Sequence, residues 1–368
     1  MALAGVELRR LRLPMVAPVV TRFGTQSARD VLLVRAVAGT AEGWGECVAP
    51  AEPRYSSEFL AGAHLVVRDH LVPRLLAAGP VTAAGVAPVL APVKGHPMAK
   101  AAVEMAVLDA ELRVAGRSLA EWFGATATAV EACAMVGMAP SLPALVEEVG
   151  QRVEEGYRRV KLKIGPGWDL EAVAAVRDRF GAGLTVVVDA NGAYTVADAA
   201  HLAQLDRFGL GFIEQPLAEG DLAGHARLAG LLRTPICLDE SATSVAAVKR
   251  AVAMGAASAV SVKAARLGGY LAARRLHDQC AAAGVALWCG GMYETGLGRA
   301  ANLALAALPG FTLGGDLAAS ARYFDPDVTP ALVLEGARIR VPDGPGLGRS
   351  PLAGVLGEAT QSVEWVPA

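Results

Sequence analysis

Residues 160–164 read Val160-Lys161-Leu162-Lys163-Ile164, with Gly165 behind them. Val, Leu and Ile favour a pleated strand, and successive strand side chains point to opposite faces, so Lys161 and Lys163 share one face. A surface strand carries two ammonium groups at little cost. A strand buried on both faces does not, because an unpaired charge in a low-dielectric interior is expensive. What surrounds the stretch decides which of these it is.

From about residue 130 the chain alternates. Short apolar runs (EACAMVGM, YRRVKLKI, LTVVVDAN, GFIEQP, PICLDE, SAVSVKAA, VALWCGG and FTLGGD) are separated by segments of helical spacing such as PALVEEVGQRVEEG, DLEAVAAVRDRFG, VADAAHLAQLDRFG and SVAAVKRAVAMG. Near-continuous apolar strands predict a parallel sheet covered by helices, and eight such units predict a (β/α)8-type barrel. No GxGxxG or GxxxxGK[ST] follows a strand, which argues against a nucleotide-binding open sheet. The first 125 residues differ. DVLLVRAVAG and TAEGWGECVAP predict a short antiparallel meander, and AAVEMAVLDAELRVAG has helical spacing, giving an α+β unit. The expected division is an α+β unit over residues 1–125, a barrel over 126–320, and a closing segment over 321–368 that packs back on the first unit.

Composition narrows the function. The chain has 368 residues, formal net charge −2 and 53% hydrophobic residues. Near-neutral charge leaves no electrostatic footprint for nucleic acid or an anionic membrane. No apolar run reaches the roughly 20 residues needed to span a bilayer, and the first residues carry arginines without an apolar segment behind them, so no secretory signal is read. Cys47, Cys133, Cys237, Cys280 and Cys289 form no CxxC pair, and several lie in apolar runs. They read as reduced, buried thiols of a cytoplasmic protein. The six histidines are scattered without HxxxH or HExxH, which gives no zinc signature.

A charge ends each central strand. Lys163, Asp189, Glu214, Asp239 and Lys263 follow one another at intervals of 26, 25, 25 and 24 residues. One charge per βα unit converges on the C-terminal mouth of the barrel, where barrel enzymes build their sites. Three adjacent carboxylates repel unless a cation sits among them. An all-oxygen donor set suits a hard divalent ion, Mg²⁺ above all, with Mn²⁺ or Co²⁺ as substitutes. The lysines flank the trio in sequence and should flank it around the barrel. Lys161, as a neighbouring cation, is expected to push the Lys163 pKa down and so favour its neutral, basic form. The reaction implied is removal of the proton α to a substrate carboxylate, with the cation holding the developing charge. A positioned base contributes about 10²–10⁴-fold, well short of the roughly 8–23 kcal/mol by which enzymes lower barriers, so the cation and Lys161 must supply most of the stabilisation.

At this point the sequence resembles the enolase superfamily. KLK, DAN, EQP, DES and the lysine of SVKAARLGG look like its muconate-lactonising subgroup, which carries a lysine on each side of the site. GHPMAKAAVEMAVLDAELR, CLDES, WCGGMYETGLGRAANLALAALPGFTL and the final GD of LGGD resemble the N-acylamino acid racemase / o-succinylbenzoate synthase family over nearly the whole chain. The resemblance implies an α+β capping domain, formed by both termini, over a modified (β/α)7β barrel. It implies Asp189, Glu214 and Asp239 as Mg²⁺ ligands, Lys163 and Lys263 as the acid/base pair, and Lys161 and Asn191 as assisting at the substrate carboxylate or enolate. Gly291, Met292, Tyr293 and Asp316 would line the substrate pocket, with Phe23 and Tyr55 reaching it from the cap loops. The expected partner is a small-molecule carboxylate in a homo-oligomeric enzyme.

Three departures bear on substrate. Met135 stands where the family has a small Ser, Tyr293 where an aliphatic residue is usual, and Ala264 where Pro is common. Met135 and Tyr293 would add bulk near the substrate's side chain or acyl group. Gly314 breaks the DxD that dipeptide epimerases carry near Asp316. Glu294 and Arg299 read as a charge pair at a helix start. The leading expectation is racemisation of N-acylamino acids. An o-succinylbenzoate-forming dehydration in the same site, as a second activity or as the main role in menaquinone biosynthesis, a muconate-type cycloisomerisation, a dipeptide epimerisation and a non-catalytic binding barrel are the alternatives.

Overall fold

The computed structural model describes residues 1–21 and 24–368. The N-terminal part is an antiparallel sheet of β1 (Gly5–Thr21), β2 (Gly24–Ala38) and β3 (Ala41–Cys47), packed on the long helix α1 (Pro97–Ala115). Helix α1 is buried on most of its surface, which suits its run of Ala, Val and Met. A Cβ at Gly43 or Gly45 would strike the α1 backbone at Ala110, Ala106 or Ala102, so only glycine lets sheet and helix approach this closely.

The barrel strands are β4 (Ala134–Val136), β5 (Arg159–Lys163), β6 (Thr185–Asp189), β7 (Ile213–Glu214), β8 (Ile236–Leu238), β9 (Ala259–Val262) and β10 (Ala286–Cys289). They pair in sequence order, and every pair is parallel. Alternation along β5 is as the VKLKI pattern requires. Val160 and Leu162 face the apolar layer between strands and helices, while Lys161 and Lys163 face the barrel interior. Below them Val187, Phe212, Cys237, Ala259 and Trp288 fill the barrel with a separate apolar plug.

Two expectations need correction. The eighth apolar run, FTLGGD, is no regular strand. Gly314 has φ +78°, and only Gly315 bridges to Cys289, while the Cys133 N–H donates to the Leu317 carbonyl and closes the circle. Successive glycines at a left-handed turn keep the segment out of a ladder. VADAAHLAQLDRFG is not one helix: a single α-turn, Ala199–Leu202, lies between 3₁₀ turns at Val196–Asp198 and Ala203–Phe208.

After β10 come helix α3 (Gly296–Ala306) and the irregular C-terminal region. Between β9 and β10 lies α2 (Tyr270–Ala282). The last strand, β11 (Thr360–Pro367), returns to pair antiparallel with β1, so the C-terminus completes the N-terminal sheet. Among the described residues no helix is long and apolar enough to cross a membrane.

Candidate active site

The parallel register sets the site. Lys163 stands opposite Asp189, and Asp189 opposite Glu214, so three charged ends align in one row. Asp239 follows β8 directly and Lys263 follows β9. With β6, β7 and β8 between β5 and β9, Lys163 and Lys263 stand on two sides of the carboxylate trio.

The carboxylates are buried, with Glu214 and Asp239 fully enclosed. Their oxygens turn toward the ammonium groups. Lys163 Nζ donates to Asp189 Oδ2 at 2.7 Å and to Asn191 Oδ1 at 2.8 Å. Lys263 Nζ donates to Asp239 Oδ2 at 2.8 Å and to the Tyr55 hydroxyl at 2.8 Å. Lys161 Nζ lies 2.6 Å from Asp316 Oδ2, 3.3 Å from Glu214 Oε2 and 3.4 Å from Asp189 Oδ2.

The electrostatics correct one sequence expectation. Burial pulls the Lys163 pKa down and Lys161 adds to that, but Asp189 outweighs both and holds it above its ordinary value. Lys263 is likewise held up, with Asp239 overcoming burial. Both lysines therefore stand as ammonium ions in this arrangement. Burial pushes the Glu214 carboxyl up to about 8, with Lys161 opposing and Asp189 and Asp239 adding to the rise. Burial acts in the same sense on Asp239, but Arg266 and Lys263 hold it below its usual range.

The donor set suits a hard divalent cation. It is all oxygen, it lies on adjacent strands, and Glu214 Oε1 is buried with no hydrogen-bond partner. As they stand, no three His, Cys, Asp or Glu side chains among the described residues close around one point. The ammonium groups occupy the carboxylates instead.

Met135, Asn191, Gly291, Met292, Tyr293, Asp316 and Tyr55 line one cavity of about 500 Å³ together with the three lysines and Asp189, a volume typical of small-molecule sites. Asp316 does so as the partner of Lys161. Phe23 lies outside the described residues. Met135 pairs in register with Lys161, and Tyr293 meets Tyr323 edge-on with ring centroids 5.3 Å apart. Asn191, Gln215 and Tyr293 have positive φ (45°, 38° and 59°), so strained backbone clusters at the site.

The sequence reading missed three supporting residues. Arg266 donates to Asp239 Oδ1 at 2.6 Å and also to the Asp239 carbonyl and the Tyr55 hydroxyl. Gln215 Oε1 accepts from the Asp239 and Ser241 N–H groups at 2.9 and 3.1 Å, fixing the β8 end against the β7 end. Glu240 accepts from Asn191 at 2.9 Å. Gln215 in EQP and Glu240 in DES flank predicted ligands, which was the available signal. Arg266 gave none. The expected Glu294–Arg299 charge pair is absent: Arg299 Nη2 donates to the Glu294 carbonyl at 2.6 Å, not to its carboxylate.

Residues 5–124 match the family described as mandelate racemase / muconate lactonizing enzyme, N-terminal domain, and residues 144–353 match the enolase C-terminal domain-like family. An N-succinylamino acid racemase from an Amycolatopsis species is 56% identical over 366 residues, covering 100% of both chains. An o-succinylbenzoate synthase from Bacillus subtilis is 39% identical over 93% of this chain and 92% of its own. The crystal structure of an enolase superfamily member from Listeria innocua superposes with a TM-score of 0.95 at 38% identity, covering 100% of this chain and 99% of that one. Enzymes of this kind use a divalent metal. With lysines on both flanks of a carboxylate trio, the chain belongs to the enolase superfamily, in its muconate-lactonising subgroup, and is an enzyme of the isomerase and lyase kind.

Proposed function

We propose that the protein racemises N-acylated amino acids, N-succinylamino acids foremost, with Mg²⁺ held by Asp189, Glu214 and Asp239. The observation that carries this reading is the placement of Lys163 and Lys263 on β5 and just beyond β9, four strands apart with the carboxylates between them. A bound divalent cation would stabilise the negative charge that forms on the substrate carboxylate. Lys161, buried between Glu214 and Asp316, adds positive charge at the same end. With Asp189 and Asp239 drawn to a cation, the pull that keeps both lysines charged would be relieved; one flanking lysine, as the neutral amine, then takes the α-proton and the other, as the ammonium, gives one to the opposite face. Asn191 holds Lys163 in place, and Tyr55 and Arg266 position Lys263 and Asp239. The racemase from Amycolatopsis, similar over the full chain, supports the substrate class.

A second reading is an o-succinylbenzoate-forming dehydration in the same site. The synthases from Geobacillus kaustophilus and Bacillus subtilis, 42% and 39% identical, favour it. Five free, buried cysteines fit a reducing, cytoplasmic setting. The edge strand β11 exposes Val363 and Trp365, which supports a homo-oligomer.

The test is α-hydrogen exchange. Each enantiomer of an N-succinylamino acid, incubated with enzyme and Mg²⁺ in deuterium oxide, is expected to gain deuterium at Cα and lose optical purity. Absence of exchange from either enantiomer would falsify the racemase reading. Turnover of the cyclohexadiene precursor of o-succinylbenzoate tests the second.

A further inference from the structure

Residues 290–295 join β10 to α3 without regular structure of their own. At their start the Gly290 N–H donates to the Val262 carbonyl at 3.0 Å, and a Cβ on Gly290 would come within 2.7 Å of Lys263 Cγ and Cε. The segment therefore lies directly on the Lys263 stem, an approach that only glycine permits. Further on, Tyr293 has φ +59°, a conformation that a bulky residue keeps only when its surroundings impose it. With no ladder or helix to hold these residues, the restraint has to come from side chains.

Two buried carboxylates supply it. Glu294 Oε1 accepts from the Met292 N–H at 2.9 Å and from Asn302 Nδ2 at 3.0 Å, and the Tyr270 hydroxyl donates to Asn302 Oδ1 at 2.9 Å. Glu46 Oε1 accepts from the Thr295 N–H at 3.0 Å, and its Oε2 accepts from the Thr295 hydroxyl at 2.6 Å and the Gly298 N–H at 3.0 Å. The amides on either side of Tyr293 and Glu294 thus each end on a carboxylate. Both acids are buried, and the buried Arg29 guanidinium interacts electrostatically with both, which offsets part of the cost of enclosing two carboxylates. Glu46 belongs to β3, so the N-terminal sheet reaches across 249 residues to fix the start of α3. A carboxylate there also suits the positive end of the helix dipole.

The two flanking lysines differ in this support. Lys163 is held at its head group by Asp189 and Asn191. Lys263 is held at its head group by Asp239 and Tyr55, and along its stem by Gly290. A misplacement of ~1 Å at a reacting group costs about 10²-fold in rate, so a residue that fixes residues 290–295 acts on the chemistry through Lys263.

We propose that Glu46 is a positioning residue for Lys263: together with Glu294 it brackets residues 290–295, and through Gly290 it keeps the Lys263 stem aligned on the substrate's Cα. The assignment rests on the racemase reading and adds to it the means by which the N-terminal sheet sets one of the two lysines.

The test compares Glu46→Ala with Glu46→Gln, which keeps one acceptor oxygen. Lys263→Ala first identifies the enantiomer whose α-deuterium exchange depends on Lys263. Glu46→Ala is expected to slow exchange from that enantiomer by about tenfold or more and from the other by about threefold or less, with Glu46→Gln between Ala and wild type. Amide hydrogen exchange, measured without substrate, is expected to rise in peptides covering residues 290–298 and to stay unchanged in the barrel strands. An equal loss for both enantiomers, or a rise in amide exchange spread over the whole chain, makes Glu46 a stabilising contact only and overturns the proposal. Unchanged protection of residues 290–298 overturns it as well. If Glu46→Ala does not fold, Glu46→Gln decides on the same two readouts. Absence of α-exchange from both enantiomers in the wild type overturns the racemase reading, and the role at Lys263 with it.

Discussion

Lys163 Nζ lies 2.7 Å from Asp189 Oδ2, so one flanking lysine is held by the carboxylate that stands opposite it in the sheet register. On the other flank Lys263 is held by Asp239 in the same way. Each lysine is thus fixed at its own side of the trio, and the two substitutions should separate by substrate enantiomer. Lys163→Ala and Lys263→Ala are each expected to lower racemisation by about 10²–10⁴-fold. Each should retain α-deuterium exchange from one enantiomer only, and from opposite ones. Nuclear magnetic resonance of the two enantiomers in deuterium oxide reads this directly. Identical exchange patterns in both variants would contradict the two-sided assignment.

The trio should bind a divalent cation more tightly in the folded chain than in the unfolded one. Mg²⁺ at about 100 times its Kd is then expected to stabilise the fold by about 2.7 kcal/mol, visible as a rise in Tm. Glu214→Gln keeps the size of the side chain and removes its charge. It should abolish the Mg²⁺-dependent rise and the exchange activity together. A variant that kept the full Tm response would remove Glu214 from the ligand set.

Met135 is 2% exposed, lines the cavity and pairs in register with Lys161. Met135→Ala deletes buried atoms and is expected to cost about 2–5 kcal/mol of stability in urea unfolding. It also opens the wall beside the lysine, so KM for N-acylamino acids with larger side chains should fall relative to small ones. Unchanged relative KM values would place Met135 away from the bound side chain.

Glu104 on α1 accepts the Leu271 N–H at the start of α2, and burial pushes its carboxyl up to about 7, against the backbone donors and Arg275. The folded value lies above the ordinary 4.5, so the folded chain keeps a proton that the unfolded chain releases between those values. The stability this group contributes is complete below about pH 4.5 and is lost as pH rises through about 7, by about 3 kcal/mol at most. Glu46, also pushed up to about 7 by burial, adds in the same direction. Glu104→Gln keeps an acceptor for the N–H and cannot ionise. Urea unfolding between pH 5 and 8 should show a shallower decline in this variant, with higher stability at pH 8. A slope equal to that of the wild type would mean that Glu104 does not titrate in this window.

The barrel could be read from the chain because its signals are local. Val160 and Leu162 alternate with Lys161 and Lys163, and that period of two fixes which residues point inward once the strand is buried. The intervals from Lys163 to Lys263 repeat because each βα unit returns the chain to the same rim. A parallel sheet in sequence order then brings the five charges together. FTLGGD and VADAAHLAQLDRFG were misread where the pattern was weakest. Gly314 and Gly315 break the ladder, and a run of Ala, Asp and His carries little to separate an α-helix from successive 3₁₀ turns.

By itself the sequence determined the strand order, the lysine-flanked carboxylate trio and the family. These follow from periodicity and from short motifs whose residues are near in the chain. Only the tertiary structure decided how the charges are paired. Tyr55 reaches Arg266 and Lys263 across more than 200 residues, Lys161 is claimed by Asp316, and the flanking lysines stand charged because Asp189 and Asp239 outweigh burial. Arg299 read as half of a charge pair with Glu294, yet it turns to that residue's carbonyl and leaves a buried N–H open beside the cavity. Coulomb energies depend on distances of a few ångströms and on local burial, and neither is encoded in spacing along the chain.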